Sequence, residues 1–336
     1  MTKKEWVLKA FNGEEADHVP MGFWFHFVKG NVGWADSLRD PGYLEQNLAG
    51  HRTYIREFAP DFVKIMSDGY FRHPLADGKE VITSMEDLDA IKPIDENNPW
   101  VQKQVELARE VTAMDKDLLY IYNIFCPVTS LKILMLGPNA AAFKSELLTR
   151  CLRQDPARVA KSLEILANNL ALVAKNVITK GGADGVYLSV GNPDRAGISD
   201  EVYRQYVTPS DKIVLEAANS ASDNNMLHIC GYEGNRNNLN DFTGYKAKVY
   251  NWAVNVEGIS LEEGRALFKG ASVLGGYANN RTDILNRGTK EEIQNFAEKI
   301  VRGFGKRGLL IGADCTVPGD ISWDHLRWVR EKLQTL

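Results

Sequence analysis

The 336-residue sequence lacks several features that would place it in a broad class at once. No stretch approaches the ~18 consecutive apolar residues that a transmembrane helix needs. Lysine plus arginine number 40 against 44 for aspartate plus glutamate, so the net charge is −4. Proteins that bind nucleic acid or anionic membranes usually carry a basic excess. We therefore expect neither a nucleic-acid partner nor a membrane partner.

Cysteine is also scarce. Its four positions, Cys126, Cys151, Cys230 and Cys315, are far apart and do not form a disulfide framework. The N-terminal residues lack the apolar core and small-residue cleavage site of a signal peptide. These absences predict a cytoplasmic, reduced setting, where paired cysteines are more often metal ligands or catalytic groups than disulfide partners.

What the sequence does contain is a regular alternation of apolar runs with amphipathic segments. The runs are nearly continuous in apolar residues, as in parallel strands that are covered on both faces. The predicted strands cover residues 18–24, 62–67, 118–125, 185–190, 225–230, 249–254, 271–276 and 308–312. The predicted helices cover residues 43–58, 100–114, 143–151, 155–180, 200–221, 260–268, 289–303 and 323–335.

This alternation predicts an α/β fold of the (β/α)₈ TIM-barrel type. We expect residues 1–336 to form one domain, with an irregular insertion around 67–99. An open doubly wound sheet is the alternative. However, no G-x-G-x-x-G follows the first predicted strand, and the sequence contains no P-loop.

The strongest local signal is Leu227-His228-Ile229-Cys230-Gly231 at the end of the fifth predicted strand. Residues i and i+2 of a strand point to the same side, so His228 and Cys230 project together where barrel enzymes keep their sites. Cys315 follows the eighth predicted strand and reaches the same rim. One imidazole and two thiolates suit Zn²⁺ and leave a fourth position open. The alternative is that both cysteines are small buried hydrophobic residues and that His228 is a satisfied polar residue.

Other candidate site residues follow other strands. Asp68 ends the second strand, where a carboxylate binds substrate or moves protons, although an Asp before Gly also forms turns. Arg195 lies in the loop after the fourth strand and either grips an anionic substrate group or belongs to a solvated loop. Asn251, Trp252 and Tyr277 follow the sixth and seventh strands and are predicted pocket walls, with Trp252 more typical of core.

Two further groups are interpreted as structural. The aromatic run Phe23-Trp24-Phe25-His26-Phe27 would line a flat apolar cavity, but such runs are more often strand core. Cys126 and Cys151 lack a partner at metal-ligand spacing.

Taken in order, these features resemble the uroporphyrinogen decarboxylase superfamily over essentially the whole length. Residues 13–20 are similar to the opening G-x-x-x-D-x-V-P of that family. The Ser67-Asp68 pair lies where the decarboxylases carry their catalytic aspartate. Residues 198–209 resemble the family's segment after strand four, and Trp252 and Gly275-Gly276 match its later strand-end motifs. The resemblance implies the family's barrel fold.

Two differences from the decarboxylases indicate a branch. The porphyrinogen decarboxylases follow the first-strand proline with an arginine-rich motif that clamps substrate carboxylates, whereas residues 21–27, after Pro20, contain no arginine. The H-x-C pair and late Cys315 are similar to the zinc-binding methyltransferases of the superfamily, which move a methyl group from a methylated corrinoid to a thiol. This resemblance implies Zn²⁺, a methyl-corrinoid donor and a small-molecule thiol or related acceptor.

Other functions remain open at this point. The donor would be either a free methyl-corrinoid or one carried by a partner corrinoid protein. The alternative enzyme is a carboxy-lyase of the uroporphyrinogen decarboxylase type that uses Asp68 without a metal. A non-catalytic role as a corrinoid carrier is less favoured, because the sequence lacks the D-x-H-x-x-G motif of such carriers.

Overall fold

Eight parallel strands form a nearly closed barrel in the computed structural model, which describes residues 1–138, 145–191 and 197–336. The neighbours pair in the order β1-β8-β7-β6-β5-β4-β3-β2. This confirms the predicted (β/α)₈ TIM barrel. The strands are Met21–Gly22 (β1), Phe62–Ile65 (β2), Leu119–Phe125 (β3), Gly185–Val190 (β4), Met226–Ile229 (β5), Val249–Trp252 (β6), Ser272–Tyr277 (β7) and Leu309–Ala313 (β8).

The first strand is much shorter than the predicted residues 18–24. Its continuation leaves the sheet because the carbonyl oxygen of Phe23 accepts a hydrogen bond from the Tyr54 hydroxyl, at 2.7 Å. A side chain links β1 to the start of β2, since the Met21 amide donates to the Asp61 carboxylate at 2.9 Å. Gly22 is needed at this contact, because a Cβ there would lie 2.2 Å from the Phe62 ring.

Helices fill the connections between the strands. They are Lys3–Phe11 (α1), Pro41–Thr53 (α2), Pro99–Thr112 (α3), Pro127–Leu136 (α4), Glu146–Gln154 (α5), Pro156–Thr179 (α6), Asp200–Val202 (α7), Thr208–Asn219 (α8), Val254–Glu257 (α9), Leu261–Leu267 (α10), Ile284–Arg287 (α11), Lys290–Phe304 (α12) and Trp323–Leu333 (α13). Among the described helices, none has the length and apolar character needed to cross a membrane.

Several predicted helices differ from those observed. The segment predicted at 143–151 begins at Glu146, because the Ser145 hydroxyl accepts the amide of Leu148 as an N-cap, and residues 143–144 lie outside the described residues. The segment predicted at 200–221 is divided by a π-helical turn at Tyr203–Val207. Residues 66–98 connect β2 to α3 and include a short 3₁₀ helix at Glu86–Ala90. Their interpretation as an insertion stays a prediction.

The barrel interior is closed at its amino-terminal end by α1. Four side chains of this helix, Trp6, Val7, Ala10 and Phe11, pack against inward-facing strand residues such as Phe62 and Leu310. The Ser272 hydroxyl of β7 also donates to the last carbonyls of α1 at 2.8–3.0 Å. The interior is therefore accessible from the carboxyl ends of the strands, where TIM-barrel enzymes hold their sites.

The strand register brings polar side chains into one layer of the interior. His228 of β5 pairs with Ser189 of β4 on one side and with Asn251 of β6 on the other. All three are buried. Because side chains alternate between the two faces of a strand, Trp252 and Ile229 next to them face the helices instead.

Candidate active site

The side chains of His228, Cys230 and Cys315 converge at the carboxyl ends of β5 and β8. One ligand atom from each lies within 4.8 Å of the other two. The Sγ atoms of Cys230 and Cys315 are 3.9 Å apart and both cysteines are free. Two sulfurs that each bind one tetrahedral zinc ion at ~2.3 Å would lie about 3.8 Å apart. The separation therefore fits a shared metal ion and is far longer than the ~2.05 Å of a disulfide bond.

Glycines allow the chain to place Cys230 at this point. The Cys230 amide donates to the carbonyl of Val190 on β4 at 2.7 Å, continuing the ladder beyond β5. A Cβ on Gly191 would lie 2.9 Å from the Cys230 carbonyl oxygen, and one on Gly231 would lie 2.6 Å from the Cβ of Ala253. Larger residues at either position would push the Cys230 backbone away from the site.

Cys315 is positioned through its neighbour Asp314. The buried Asp314 carboxylate accepts the amides of Val254 and Asn255 at 3.0 and 3.2 Å and the Asn255 side chain at 3.0 Å. These bonds fasten the end of β8 to the start of the short helix α9, which follows β6. Burial raises the pKa of Asp314 to about 6. The turn that carries Cys315 is thereby held close to β5.

The tautomer of His228 is fixed by Asn251. The Asn251 amide nitrogen donates to the carbonyls of Leu274 and Ala313 at 2.9 and 3.2 Å, so its oxygen is the acceptor. That oxygen receives the Nδ1 proton of His228 at 2.5 Å and the hydroxyl of Tyr187 at 2.8 Å. The Nε2 atom of His228 is then left with a lone pair, is buried and makes no hydrogen bond of ordinary geometry among the described residues, although it interacts electrostatically with Cys315. A metal ion fits this unpaired acceptor, because metal-bound histidines usually donate their other nitrogen to a fixed acceptor.

The Cys230 and Cys315 thiols are close enough to share a hydrogen bond. That bond lowers the pKa of Cys315 well below its ordinary value and raises the pKa of Cys230. A divalent cation held between the two sulfurs would be stabilised by thiolate ligands, and its binding would release their protons.

A cavity of about 710 Å³ opens above these three residues. This volume lies within the usual range for small-molecule and cofactor sites. Its apolar wall includes Met66, Phe71, Phe125, Ile133 and Val317. Its polar groups include His26, Lys64, Asn123, Ser189 and Arg281 in addition to the three ligand candidates. The arrangement accommodates a largely apolar ligand that has a few polar contacts.

Lys64 of β2 is a charged residue inside the barrel that sequence reasoning missed. It is 8% exposed and lines the cavity. Its Nζ lies 3.9 Å from the ring centroid of Tyr187 and 4.9 Å from that of Trp24. We find no hydrogen bond or ion pair for this ammonium within the described ranges. Burial lowers the pKa of Lys64 to about 8, so the group is a cation at neutral pH.

Asp68 lies beneath the cavity surface and holds His26. Its side chain is 0% exposed, and one oxygen accepts Nδ1–H of His26 at 2.7 Å. The other oxygen accepts the amides of Phe27 and Val28 at 2.8 and 3.3 Å. Burial alone would raise the pKa of Asp68, but the charge and hydrogen bond of His26 and the two amides together lower it. Asp68 is therefore an ionised carboxylate, while His26, which is 32% exposed, faces the cavity.

Comparison with known proteins identifies the family. The profile of the uroporphyrinogen decarboxylase (URO-D) family matches residues 76–336, which is well over half of the chain. The chain belongs to the URO-D family. No curated protein sequence matches it significantly.

Solved structures resemble this URO-D family member in fold. A B12-independent methionine synthase from Shewanella sp. W3-18-1, in complex with selenomethionine, has a TM-score of 0.59 and 12% identity over 95% of this chain and 97% of its own. A β-mannanase from the blue mussel Mytilus edulis has a TM-score of 0.51 and 10% identity over 94% and 92%. At these identities the likeness concerns the barrel alone.

The remaining predicted site residues of this URO-D family chain lie away from the cavity or outside the described ranges. Trp252 and Tyr277 are 0% exposed and belong to the outer core, where their polar atoms donate to the carbonyls of Ile259 and Ile293. They are not the pocket walls that we predicted, because they alternate with inward-facing strand neighbours. Asn251 lies behind His228 rather than on the wall. Arg195 lies outside the described residues.

Lys64, which was missed, and His26, which was considered only as part of the aromatic run, both left a signal in the sequence. Lys64 interrupts an apolar strand two positions from Phe62 and Met66, so it shares their inward face. His26 is the polar member of the aromatic run after β1. Its partner Asp68 lies 42 positions away, and only the adjacency of β1 and β2 in the barrel brings the two together.

Proposed function

We propose that this URO-D family protein is a zinc-dependent methyltransferase that moves a methyl group from a methylated corrinoid to a thiol or similar acceptor. The observation that supports it most is the convergence of three ligand atoms within 4.8 Å, including the unpaired Nε2 of His228, at a cavity. A free thiol of pKa near ~8.5 is mostly protonated at neutral pH and is therefore a poor nucleophile. Bound zinc would act as a Lewis acid that lowers the pKa of the acceptor thiol.

The residues of the chain set the charge of the site. Two thiolates, from Cys230 and Cys315, balance the charge of a divalent zinc ion, so an added acceptor thiolate leaves the site net negative and its sulfur electron-rich. Asn251 fixes the orientation of His228 through its neighbouring nitrogen. The enclosed wall then positions the acceptor sulfur for in-line attack on a methyl carbon, and such positioning is a major source of rate enhancement.

The donor and the partners are proposed from the sequence. The corrinoid donor rests on the resemblance of the H-x-C pair and Cys315 to the corrinoid-dependent branch. The methionine synthase of similar fold is named B12-independent, so it gives no support to this choice. We propose a small-molecule thiol acceptor, a corrinoid protein as the donor's carrier, and a cytoplasmic location based on the cysteine usage.

A direct assay tests the proposal. Zinc-loaded protein is mixed with methylcobalamin and one of three thiols, 2-mercaptoethanol, 3-mercaptopropionate or cysteamine. We expect thioether formation by mass spectrometry with matching loss of the methylcobalamin spectrum. Cys315→Ser should lower the rate by at least ~100-fold, since removing a group that organises the reaction centre costs several kcal/mol.

Cys151→Ser is the matched control for this assay. Cys151 is a buried free cysteine on α5 outside the cavity, so its replacement should leave the rate unchanged. Equal rates for zinc-free and zinc-loaded protein would contradict the proposal. Release of CO₂ from a carboxylated pyrrole by metal-free protein would favour the alternative function, a decarboxylase.

A further inference from the structure

The cavity needs an acceptor for the proton that a thiol loses. Its wall carries Arg281, whose guanidinium has no lone pair to accept a proton, and Lys64, whose ammonium must first lose its own proton. Asp68 is covered on both oxygens and is not exposed. A bulky methyl donor over the open end would also separate the thiol from bulk water. A base within the cavity itself would solve this problem.

His26 has the geometry of such a base. Because the ionised Asp68 accepts its Nδ1–H, the lone pair of its neutral ring lies on Nε2. For that Nε2 we find no hydrogen-bond partner in the described parts of the chain. The ring is also held edge-on against Phe71, with centroids 6.0 Å apart and planes at 82°. A carboxylate that fixes the tautomer of a histidine and stabilises its protonated form is the arrangement of a general base in nucleophilic catalysis.

The segment that carries His26 is attached to the segment that carries Cys315. The amide of Val317, two residues after Cys315, donates to the carbonyl of Trp24 at 3.0 Å, two residues before His26. His26 and the turn after β8 therefore line the same cavity from two segments that are bonded to each other. A ligand sulfur held at the cysteines lies in the same enclosure as the imidazole.

We propose that His26, positioned by Asp68, is the catalytic base that takes the proton of the acceptor thiol, an inference that rests on the proposed function. In this step the S–H bond breaks, an N–H bond forms at Nε2 of His26, and the electron pair stays on sulfur. The Asp68 carboxylate stabilises the resulting imidazolium. The proton leaves to water once the product departs and the cavity mouth is open. Asp68 acts through His26 and does not touch the substrate.

Proton counting tests this step without turnover. Zinc-loaded protein is titrated with 3-mercaptopropionate at about pH 7.5, above the ordinary pKa of a free imidazole, in two buffers of different ionisation enthalpy and with no methyl donor present. The wild type should release well under one proton per thiol bound to the buffer. His26→Gln should release about one, since metal-bound thiols are deprotonated and the protein no longer keeps the proton.

Turnover measurements distinguish a base from a structural residue. His26→Ala should lower kcat by about 10²–10⁴-fold, the usual contribution of general base catalysis. The KM for thiol and the zinc content should change little, and added imidazole should restore part of the rate. Asp68→Asn should lower kcat without being rescued by imidazole. His325→Gln, a histidine on α13 outside the cavity, is the control.

The possible failures are distinguishable. Equal proton release by wild type and His26→Gln, or a His26→Ala variant that keeps its rate or is not rescued by imidazole, would overturn the role of His26 and leave the methyltransferase proposal standing. If the wild type forms no thioether but still binds the thiol and keeps its proton, the base is supported while the methyl transfer is wrong. If the His26 variants unfold, the proton count of Asp68→Asn replaces theirs as the test. This variant should also release more protons to the buffer than the wild type does.

Discussion

Residues outside the set of three ligand candidates orient those ligands. Asn251 is the least obvious of them, since it lies behind His228 and bonds to four groups at once. Its amide nitrogen is anchored to two backbone carbonyls, which leaves its oxygen no freedom to rotate away. The lone pair of His228 is therefore directed by a residue that never touches the cavity.

Replacing Asn251 tests this dependence. Asn251→Leu keeps a similar volume but removes the acceptor for His228 Nδ1 and the Tyr187 hydroxyl. We expect zinc affinity, measured by competition with a chelating dye, to fall by about 10–100-fold, as is usual when the outer partner of a metal-bound histidine is lost. Tyr187→Phe removes the other hydrogen bond to the same oxygen and should bind zinc almost as the wild type does. Equal affinities for Asn251→Leu and the wild type would show that the ring needs no such support.

The site could be predicted from sequence only where local geometry governs it. The convergence of His228, Cys230 and Cys315 follows from strand alternation and from the common edge of parallel strands, and the structure confirms it. The same alternation should have placed Trp252 on the outer face, because its neighbour Asn251 faces inward. The His26–Asp68 contact joins the segments that follow β1 and β2, which are distant in sequence. No local sequence pattern predicts which of these two side chains faces the cavity.

At the scale of elements, the prediction succeeded for strands with long apolar runs. The run at 118–125 gave β3 within one residue, because a strand that is buried on both faces has little polar sequence at its centre. The run at 18–24 predicted a longer strand than the two-residue β1, since the buried aromatic side chains after Gly22 pack against other rings, Phe23 against Tyr277 and Phe25 against Tyr54. Hydrophobicity marks burial, but it does not distinguish a strand from a buried loop.

Four described helices, α1, α4, α9 and α11, were not predicted, and the two longer ones, α1 and α4, were missed for different physical reasons. The α4 helix, Pro127–Leu136, is buried on nearly every side, so it lacks the amphipathic period by which surface helices are recognised. The α1 helix begins with a capping box formed by Thr2 and Glu5, a signal that was available in the sequence. Its function as the cover of the barrel's closed end depends on tertiary packing and could not be read from the capping pattern.

At the scale of the whole molecule, a buried carboxylate links stability to pH. Asp211 of α8 is 0% exposed and accepts the Tyr245 hydroxyl at 2.8 Å. Burial raises its pKa to about 7, whereas an unfolded aspartate titrates near ~3.9. Between these values the native state keeps a proton that the unfolded chain has released. The stability that the protonated form contributes is present below about pH 4 and is lost as the pH rises through about 7.

The variant Asp211→Asn should remove this pH dependence. It keeps the size and the acceptor for Tyr245 but cannot ionise, so its free energy of unfolding relative to the wild type should increase as the pH rises from 4 to 8. Urea unfolding at several pH values measures the difference. Asp223→Asn, which alters an exposed aspartate, is the matched control and should show no such trend. A constant difference between Asp211→Asn and the wild type would mean that Asp211 does not retain its proton.

Metal analysis with X-ray absorption tests whether His228, Cys230 and Cys315 together hold one zinc ion. We expect about one zinc per chain, with Zn–S near ~2.3 Å and Zn–N near ~2.1 Å, in protein purified without added metal. Zinc should be lost in His228→Ala, Cys230→Ser and Cys315→Ser, and retained in Cys151→Ser. A chain that is fully active without metal, or that keeps its zinc in any of the three ligand variants, would show that these residues do not form the zinc site.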